Sequence, residues 1–237
     1  MRSWEEDADD EGTVWFSESN AEEAILDQLS RLEESQLLQR GVRADEAEDD
    51  VGDHQGSPAT VEILVPKFLD LGTGNGHLLF ALREPDDEGR NWIGEMVGVD
   101  YSETSVQLAR RIATQKQLSD IRFEHWDLLH DMPGDWLGAG FDVVLDKGTF
   151  DAISLMPHDG DARHPCEVYH EKVVPLIKPL HFLCITSCNW TKSEVLDWLA
   201  PPGSELSYFS EAKYPSFTFG GHTGQSIVTL VLQKSQT

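Results

Sequence analysis

The chain has 237 residues, with 43 Asp and Glu against 18 Lys and Arg, a formal charge of −25. Nucleic-acid affinity draws on counterions released by Lys and Arg, so this acidity argues against a phosphate-backbone partner and suits a basic protein instead. The 39% of hydrophobic residues can bury the core of one ordinary domain plus a tail.

Three cysteines, Cys166, Cys184 and Cys188, are too few and too irregularly spaced for a disulfide framework or a Cys-x-x-Cys metal knuckle. No metal is expected, and a reducing compartment follows. The opening Met1-Arg2-Ser3-Trp4 turns acidic without the apolar run of a signal peptide. No window approaches the ~20 apolar residues of a membrane span, so a cytoplasmic chain with no membrane partner is expected.

The charge is uneven: residues 1–60 hold 18 acids and 4 bases. Ser19-Asn20-Ala21-Glu22 has capping-box spacing, and Ile25, Leu29 and Leu32 recur on one face, predicting an amphipathic helix over 20–38. Residues 43–60 lack apolar periodicity and carry repelling acids, which reads as a flexible insert. The expected division is therefore an acidic N-terminal segment over 1–60 and a folded domain over 61–237.

From Pro66 onward, apolar runs of strand length alternate with amphipathic stretches, the rhythm of a parallel α/β sheet. Strands are predicted at 67–71, 96–100, 121–125, 141–146 and 180–186. Helices are predicted at 75–84, from the Ser102 cap toward Lys116, at 165–178, and at 192–199 before Pro201-Pro202. Residues 206–210 and 227–233 read as two further strands with no helix between them, only the turn-rich run 220–224. A mostly parallel sheet with an antiparallel end is the implication.

The sharpest segment is Asp70-Leu71-Gly72-Thr73-Gly74-Asn75-Gly76, a strand running into a glycine-rich turn and a helix start. Glycines at 72 and 74 let backbone approach a ligand that a Cβ would exclude, and Asp70 can accept hydrogen bonds from an ammonium group. A dinucleotide fingerprint needs glycine at position 77, which is His, so the spacing disfavours a nicotinamide cofactor. S-adenosylmethionine fits instead: it has no pyrophosphate to seat on a helix N-terminus but does carry an α-amino group for a carboxylate. Asp100, with Tyr101 beside it, ends the second strand where a carboxylate can take ribose hydroxyls. Asp127 can accept from an adenine amino group, with Trp126 or Leu128 against the ring.

The fourth strand ends in Asp146-Lys147-Gly148-Thr149-Phe150-Asp151, placing two carboxylates, a hydroxyl and an aromatic where a methyl acceptor would sit. Asn189 and Trp190 follow the fifth strand beside them. For Lys147 a solvated charge is the plainer reading, and for Phe150 core packing competes with an acceptor wall.

Taken together, Gly12 to Phe16, Asp70 to Gly76, Asp146 to Leu155, Ile185-Thr186-Ser187-Cys188-Asn189-Trp190-Thr191-Lys192 and Ser216-Phe217-Thr218-Phe219-Gly220-Gly221 resemble the seven-strand S-adenosylmethionine-dependent methyltransferases. Within them, the chain is similar to the protein-lysine methyltransferases of elongation factor 1-alpha, the fungal type being linked also to vesicular transport. The resemblance implies a Rossmann-like sheet with helices on both faces, and methyl transfer to a lysine of elongation factor 1-alpha. It places acceptor-side chemistry on Asp146, Thr149, Phe150, Asp151, Asn189 and Trp190. The cofactor falls to Asp70, Gly72, Thr73, Gly74, Asn75, Gly76, Asp100, Tyr101, Asp127 and Leu128. Relatives carry a His-Trp-Asp and Tyr pattern upstream, whereas this chain reaches Trp15-Phe16 almost at once, so a shortened N-terminus is the expectation. Trp15 is either a lid over the site or a core residue. A small-molecule methyltransferase and a non-catalytic cofactor-binding module remain alternatives, because the cradle says nothing about the acceptor.

Overall fold

The computed structural model describes residues 16, 19–41, 65–157, 163–215, 217–219, 222–224 and 226–236. Trp15, most of the Gly12 to Phe16 run, the 43–60 insert, and Ser216, Gly220 and Gly221 lie outside them.

The elements in chain order are α1 (Ala21–Glu34), β1 (Lys67–Leu71), α2 (His77–Arg83), β2 (Glu95–Asp100), α3 (Glu103–Gln115), β3 (Ile121–His125), β4 (Phe141–Lys147) and α4 (Thr149–Ser154). Then come α5 (Pro165–Val173), β5 (Ile177–Ser187), α6 (Lys192–Leu199), β6 (Leu206–Glu211), β7 (Phe217–Phe219), β8 (His222–Gly224) and β9 (Val228–Lys234). Seven strands form one sheet in the order β3-β2-β1-β4-β5-β9-β6. Strands β1 to β5 pair in parallel, while β9 runs antiparallel to both β5 and β6. This is the mostly parallel sheet with an antiparallel final strand that the apolar rhythm predicts. The run read as a plain turn at 220–224 instead contributes β8, which pairs with β7 as a small hairpin.

Side-chain alternation along the strands divides the core into two layers. Phe68, Met96, Val143, Leu145 and Val231 pack beneath α1, α2 and α3, with Ile25, Leu29 and Leu32 of α1 fully or almost fully buried among them. Leu69, Leu71, Val97, Val99, Val144, Leu230 and Leu232 face the opposite way, against Phe150, Tyr169 and Val195 of α4, α5 and α6. Helices cover both faces, as a parallel sheet requires.

Two local expectations are corrected, and one helix is added that the sequence pattern does not predict. The Ser19–Glu22 capping box does not form: Asn20 is the N-cap in a left-handed conformation with no side-chain cap bond. Ser19 Oγ donates to the Phe16 carbonyl instead, and Glu22 is drawn to tertiary partners. The helix predicted over 165–178 ends at Val173, because Pro175 and Pro179 cannot continue it; a single 3-10 turn follows and β5 begins at Ile177. Six residues after β4 that show no helical periodicity form this added helix, α4, whose N-cap is Gly148 with φ +94°.

Candidate functional site

The carboxyl ends of β1, β2 and β4 open on a cavity of about 660 Å³. In an open parallel sheet this is where a ligand binds, because β1 and β4 flank the point at which the strand order reverses.

Asp70 is almost fully buried in its wall, and its Oδ2 accepts a 2.7 Å hydrogen bond from the Thr73 hydroxyl. Burial pushes this carboxyl up to about 7, against the pull of Thr73 and of the nearby Lys147 ammonium. Gly72 and Gly74, both read from sequence as room for a ligand, do different work. A Cβ on Gly72 (φ +65°) would stand 2.1 Å from Thr149 Oγ1, so that glycine lets β1 and α4 close together. A Cβ on Gly74 (φ +57°) would meet nothing within 4 Å, although the residue lines the cavity, so that position leaves space for a ligand. Gly76 (φ +84°) is a packing glycine, its missing Cβ lying 2.8 Å from the Phe80 and Phe123 rings. Asn75 Oδ1 accepts from the His77 N–H at 3.2 Å.

Asp100 Oδ2 accepts from the Gly74 N–H at 2.9 Å and Oδ1 from the Ser102 N–H at 2.8 Å. These bonds fix the glycine turn to the end of β2 and leave each oxygen a further lone pair. Tyr101, largely exposed, and the buried Leu128 and Trp126 complete this side, Trp126 braced edge-on by Trp136. Asp127 turns its carboxylate into its own loop, accepting from the Leu129 and His130 N–H groups and pairing with His130 Nδ1 at 2.9 Å. Partial burial raises that carboxyl, but these contacts outweigh it and hold it below the ordinary range.

Of the acceptor-side residues, Thr149 lines the cavity and its hydroxyl donates to the Leu71 carbonyl at 2.7 Å. The others stand behind the wall or beside it. Asp146 is fully buried, accepting from the Thr149 and Phe150 N–H groups and from the Tyr169 hydroxyl at 2.6 Å. Burial pushes it up to about 7, only partly offset by Tyr169 and the helix N–H groups. Phe150 is fully buried against Tyr169, 4.9 Å between ring centroids, which is the core-packing alternative. Asp151 ties α4 to the end of β5, accepting from Ser187 Oγ and from the Cys188 N–H at 2.7 Å. Trp190 Nε1 donates to Ser154 Oγ at 3.0 Å, and Asn189 is exposed. Ala152, Ile153 and Met156 supply an apolar side to the cavity.

A domain family described as "Methyltransferase domain" matches residues 66–233. Over 94% of this chain and 84% of its own length, "Protein-lysine N-methyltransferase efm4" of Schizosaccharomyces pombe is 38% identical. The chain belongs to this methyltransferase family. "EEF1A lysine methyltransferase 2" of Danio rerio is 39% identical over 71% of this chain and 66% of its own. Among solved structures, a SAM-dependent methyltransferase from Aquifex aeolicus shares the fold, with TM-score 0.51 and 14% identity over 71% of this chain and 82% of that one.

The cofactor of the methyltransferase is S-adenosylmethionine, and the cavity fits it: a buried carboxylate for an ammonium, a glycine without steric neighbours, an acid at the end of β2 and an apolar ring platform. Residues that sequence reasoning missed are Glu22 and His77 on the wall and Tyr169 behind it. The signal for Glu22 was present but pointed to a cap; Tyr169 carries none, lying 23 residues from its partner. Among the described residues no group of three or more His, Cys, Asp or Glu is placed to hold a metal, and no helix is long and apolar enough to cross a membrane.

Two expected results follow. Cofactor affinity should fall as pH drops below about 7, by up to about tenfold per unit, because a cationic amino group needs ionised Asp70 and binding must then release its proton. The loss below pH 7 should disappear in Asp70→Asn, while at higher pH the ligand's own amino group begins to lose its proton and limits binding to both proteins; titration calorimetry from pH 5.5 to 7.5 reads the Asp70 step directly. Asp100→Ala should weaken binding by about 1.5–3 kcal/mol through lost charge-assisted bonds. Unchanged affinity there would detach Asp100 from the cofactor.

Proposed function

We propose that this methyltransferase transfers a methyl group from S-adenosylmethionine to the ε-amine of a lysine in elongation factor 1-alpha. The reading is supported foremost by relatives whose names give protein lysine as the acceptor, and in one case eEF1A, aligned over most of the chain. The bound cofactor supplies an electrophilic methyl on a sulfonium. The chain's own part is to hold the acceptor amine neutral and in line. Ala152, Ile153 and Met156 on and after α4 give that amine an apolar approach, where desolvation favours the uncharged form.

In this reading Thr149 borders the acceptor directly, and Asp146, Phe150, Asp151, Asn189 and Trp190 act on the acceptor side by holding α4 and the β5 loop in place. The charge of −25 suits a basic protein acceptor. Any part in intracellular transport would follow from the methylated product.

Incubating the protein with labelled S-adenosylmethionine and purified elongation factor 1-alpha, with a set of small amines as the comparison, tests the acceptor. Label on a lysine of the factor is the expected result. Label on small amines alone would replace this reading with small-molecule methylation, and stabilisation by S-adenosylhomocysteine with no transfer to any acceptor would leave a cofactor-binding module.

A further inference from the structure

Four ionisable side chains from four elements converge at one end of the cavity: Glu22 near the start of α1, Asp70 in β1, His77 at the start of α2 and Lys147 at the end of β4. Glu22 Oε2 lies 2.7 Å from His77 Nδ1, and its Oε1, buried, lies 3.4 Å from Lys147 Nζ. Lys147 and Glu22 are both mostly buried, at 13% and 17% exposure. A buried ion pair is a poor source of stability, since desolvation offsets most of the attraction, so placing one on a cavity wall asks for another explanation.

The composition of the wall supplies it. Glu22, Asp70, Asp100 and Asp127 are its acids, whereas Lys147 is its one Lys or Arg among the described residues. The amino-acid end of S-adenosylmethionine carries an ammonium and a carboxylate on the same carbon. If Asp70 takes the ammonium, whatever pairs with the carboxylate must stand beside Asp70. Lys147 does so: β4 lies beside β1 with Asp70 opposite Leu145 and Leu71 opposite Asp146, so Lys147 follows at the same strand end and lines the same cavity.

We propose that Lys147 binds the α-carboxylate of the cofactor, and that Glu22 is a positioning residue that fixes Lys147 Nζ at the cavity wall, itself held by His77. The N-terminal helix α1, which lies before the matched residues 66–233, is on this account part of the cofactor site. Its buried stripe of Ile25, Leu29 and Leu32 sets where Glu22 stands. The inference rests on the methyltransferase assignment and not on the identity of the acceptor.

The test compares two ligands by titration calorimetry on the full chain: S-adenosylhomocysteine, and methylthioadenosine, which keeps the adenosine and thioether but lacks the amino-acid end. Lys147→Met should weaken S-adenosylhomocysteine about 10- to 100-fold and leave methylthioadenosine within about twofold, the loss expected for a charge-assisted bond. Glu22→Gln should shift the same ligand in the same direction by less, and Lys147→Arg should retain the preference for S-adenosylhomocysteine. Should Lys147→Met not fold, Lys147→Gln gives the same comparison. Unchanged affinity for S-adenosylhomocysteine, or an equal loss for both ligands, would overturn the proposal, the second outcome assigning Lys147 to the structure of the wall. Either leaves the lysine-methylation reading standing, because methylthioadenosine reports the adenosine end independently.

Discussion

Gly74→Leu is expected to abolish cofactor binding in a protein that still folds. The glycine sits at φ +57° and a Cβ there meets no protein atom within 4 Å, so the substitution costs the fold about 1–2 kcal/mol of left-handed strain and little else. The new side chain instead occupies cavity volume that the cofactor needs, and affinity should fall by at least about 100-fold, roughly 2.7 kcal/mol. Gly72→Ala, two residues earlier, should fail differently. Its methyl would press on Thr149 Oγ1 and displace the hydroxyl from the Leu71 carbonyl, loosening the junction of β1 with α4. Thermal melts with and without S-adenosylhomocysteine separate the two, since a ligand that binds only the folded state raises its melting temperature. A Gly74→Leu protein stabilised by that ligand as much as the parent would show that the cavity beside Gly74 is not the cofactor's place.

Asp146→Ala should have the largest effect on stability of any single change at the site. The Thr149 and Phe150 N–H groups and the Tyr169 hydroxyl would all lose their acceptor in a fully buried position. Leaving such groups unpaired costs about 1–3 kcal/mol each, so a total of about 3–5 kcal/mol is expected after relaxation. At roughly 2–4 °C per kcal/mol for a chain of this size, the melting temperature should drop by about 10 °C. Turnover should fall as well at temperatures where the variant is folded, because α4 carries Thr149, Ala152 and Ile153 on the cavity wall. Normal turnover by folded variant would show that the bracing of α4 by Asp146 does not govern transfer and would remove Asp146 from the acceptor side.

The sign of the pH effect follows from the raised Asp146 and Asp70 carboxyls, both at about 7. The folded state holds protons there that the unfolded chain has already released, so these groups favour the fold below pH 4. That contribution declines as pH rises from about 4 to 7 and is absent above it. A stability profile of the ligand-free protein should therefore slope downward across that window from these two groups, and Asp146→Asn should make the slope shallower.

Much of this is legible in the sequence. The strands over 67–71 and 121–125 were readable to the residue, the first as a mostly apolar run between Pro66 and Gly72, the second as the alternation Ile121-Arg122-Phe123-Glu124-His125 of a strand with one buried face. The glycine turn and the acids at the ends of β1 and β2 announced the class of cofactor, since turn chemistry and strand periodicity are each encoded within a window of about ten residues. What such a window cannot hold is the choice a polar side chain makes among distant partners. Glu22 has the spacing of a capping residue, yet it leaves its own helix for His77 and Lys147, which are 55 and 125 positions away and adjacent only once the sheet has formed. Gly72 and Gly74 are alike in sequence, but tertiary packing set one against Thr149 and the other against open space. Helix α4 is too short to show a period and exists because a carboxylate from the preceding strand, itself fixed by Tyr169 of α5, accepts its first N–H groups. The sequence by itself determined the layers and the glycine turn with its flanking acids, because both follow from local pattern. Which acids face the cavity and which brace it was decided by tertiary structure alone, because a buried carboxylate goes where donors converge.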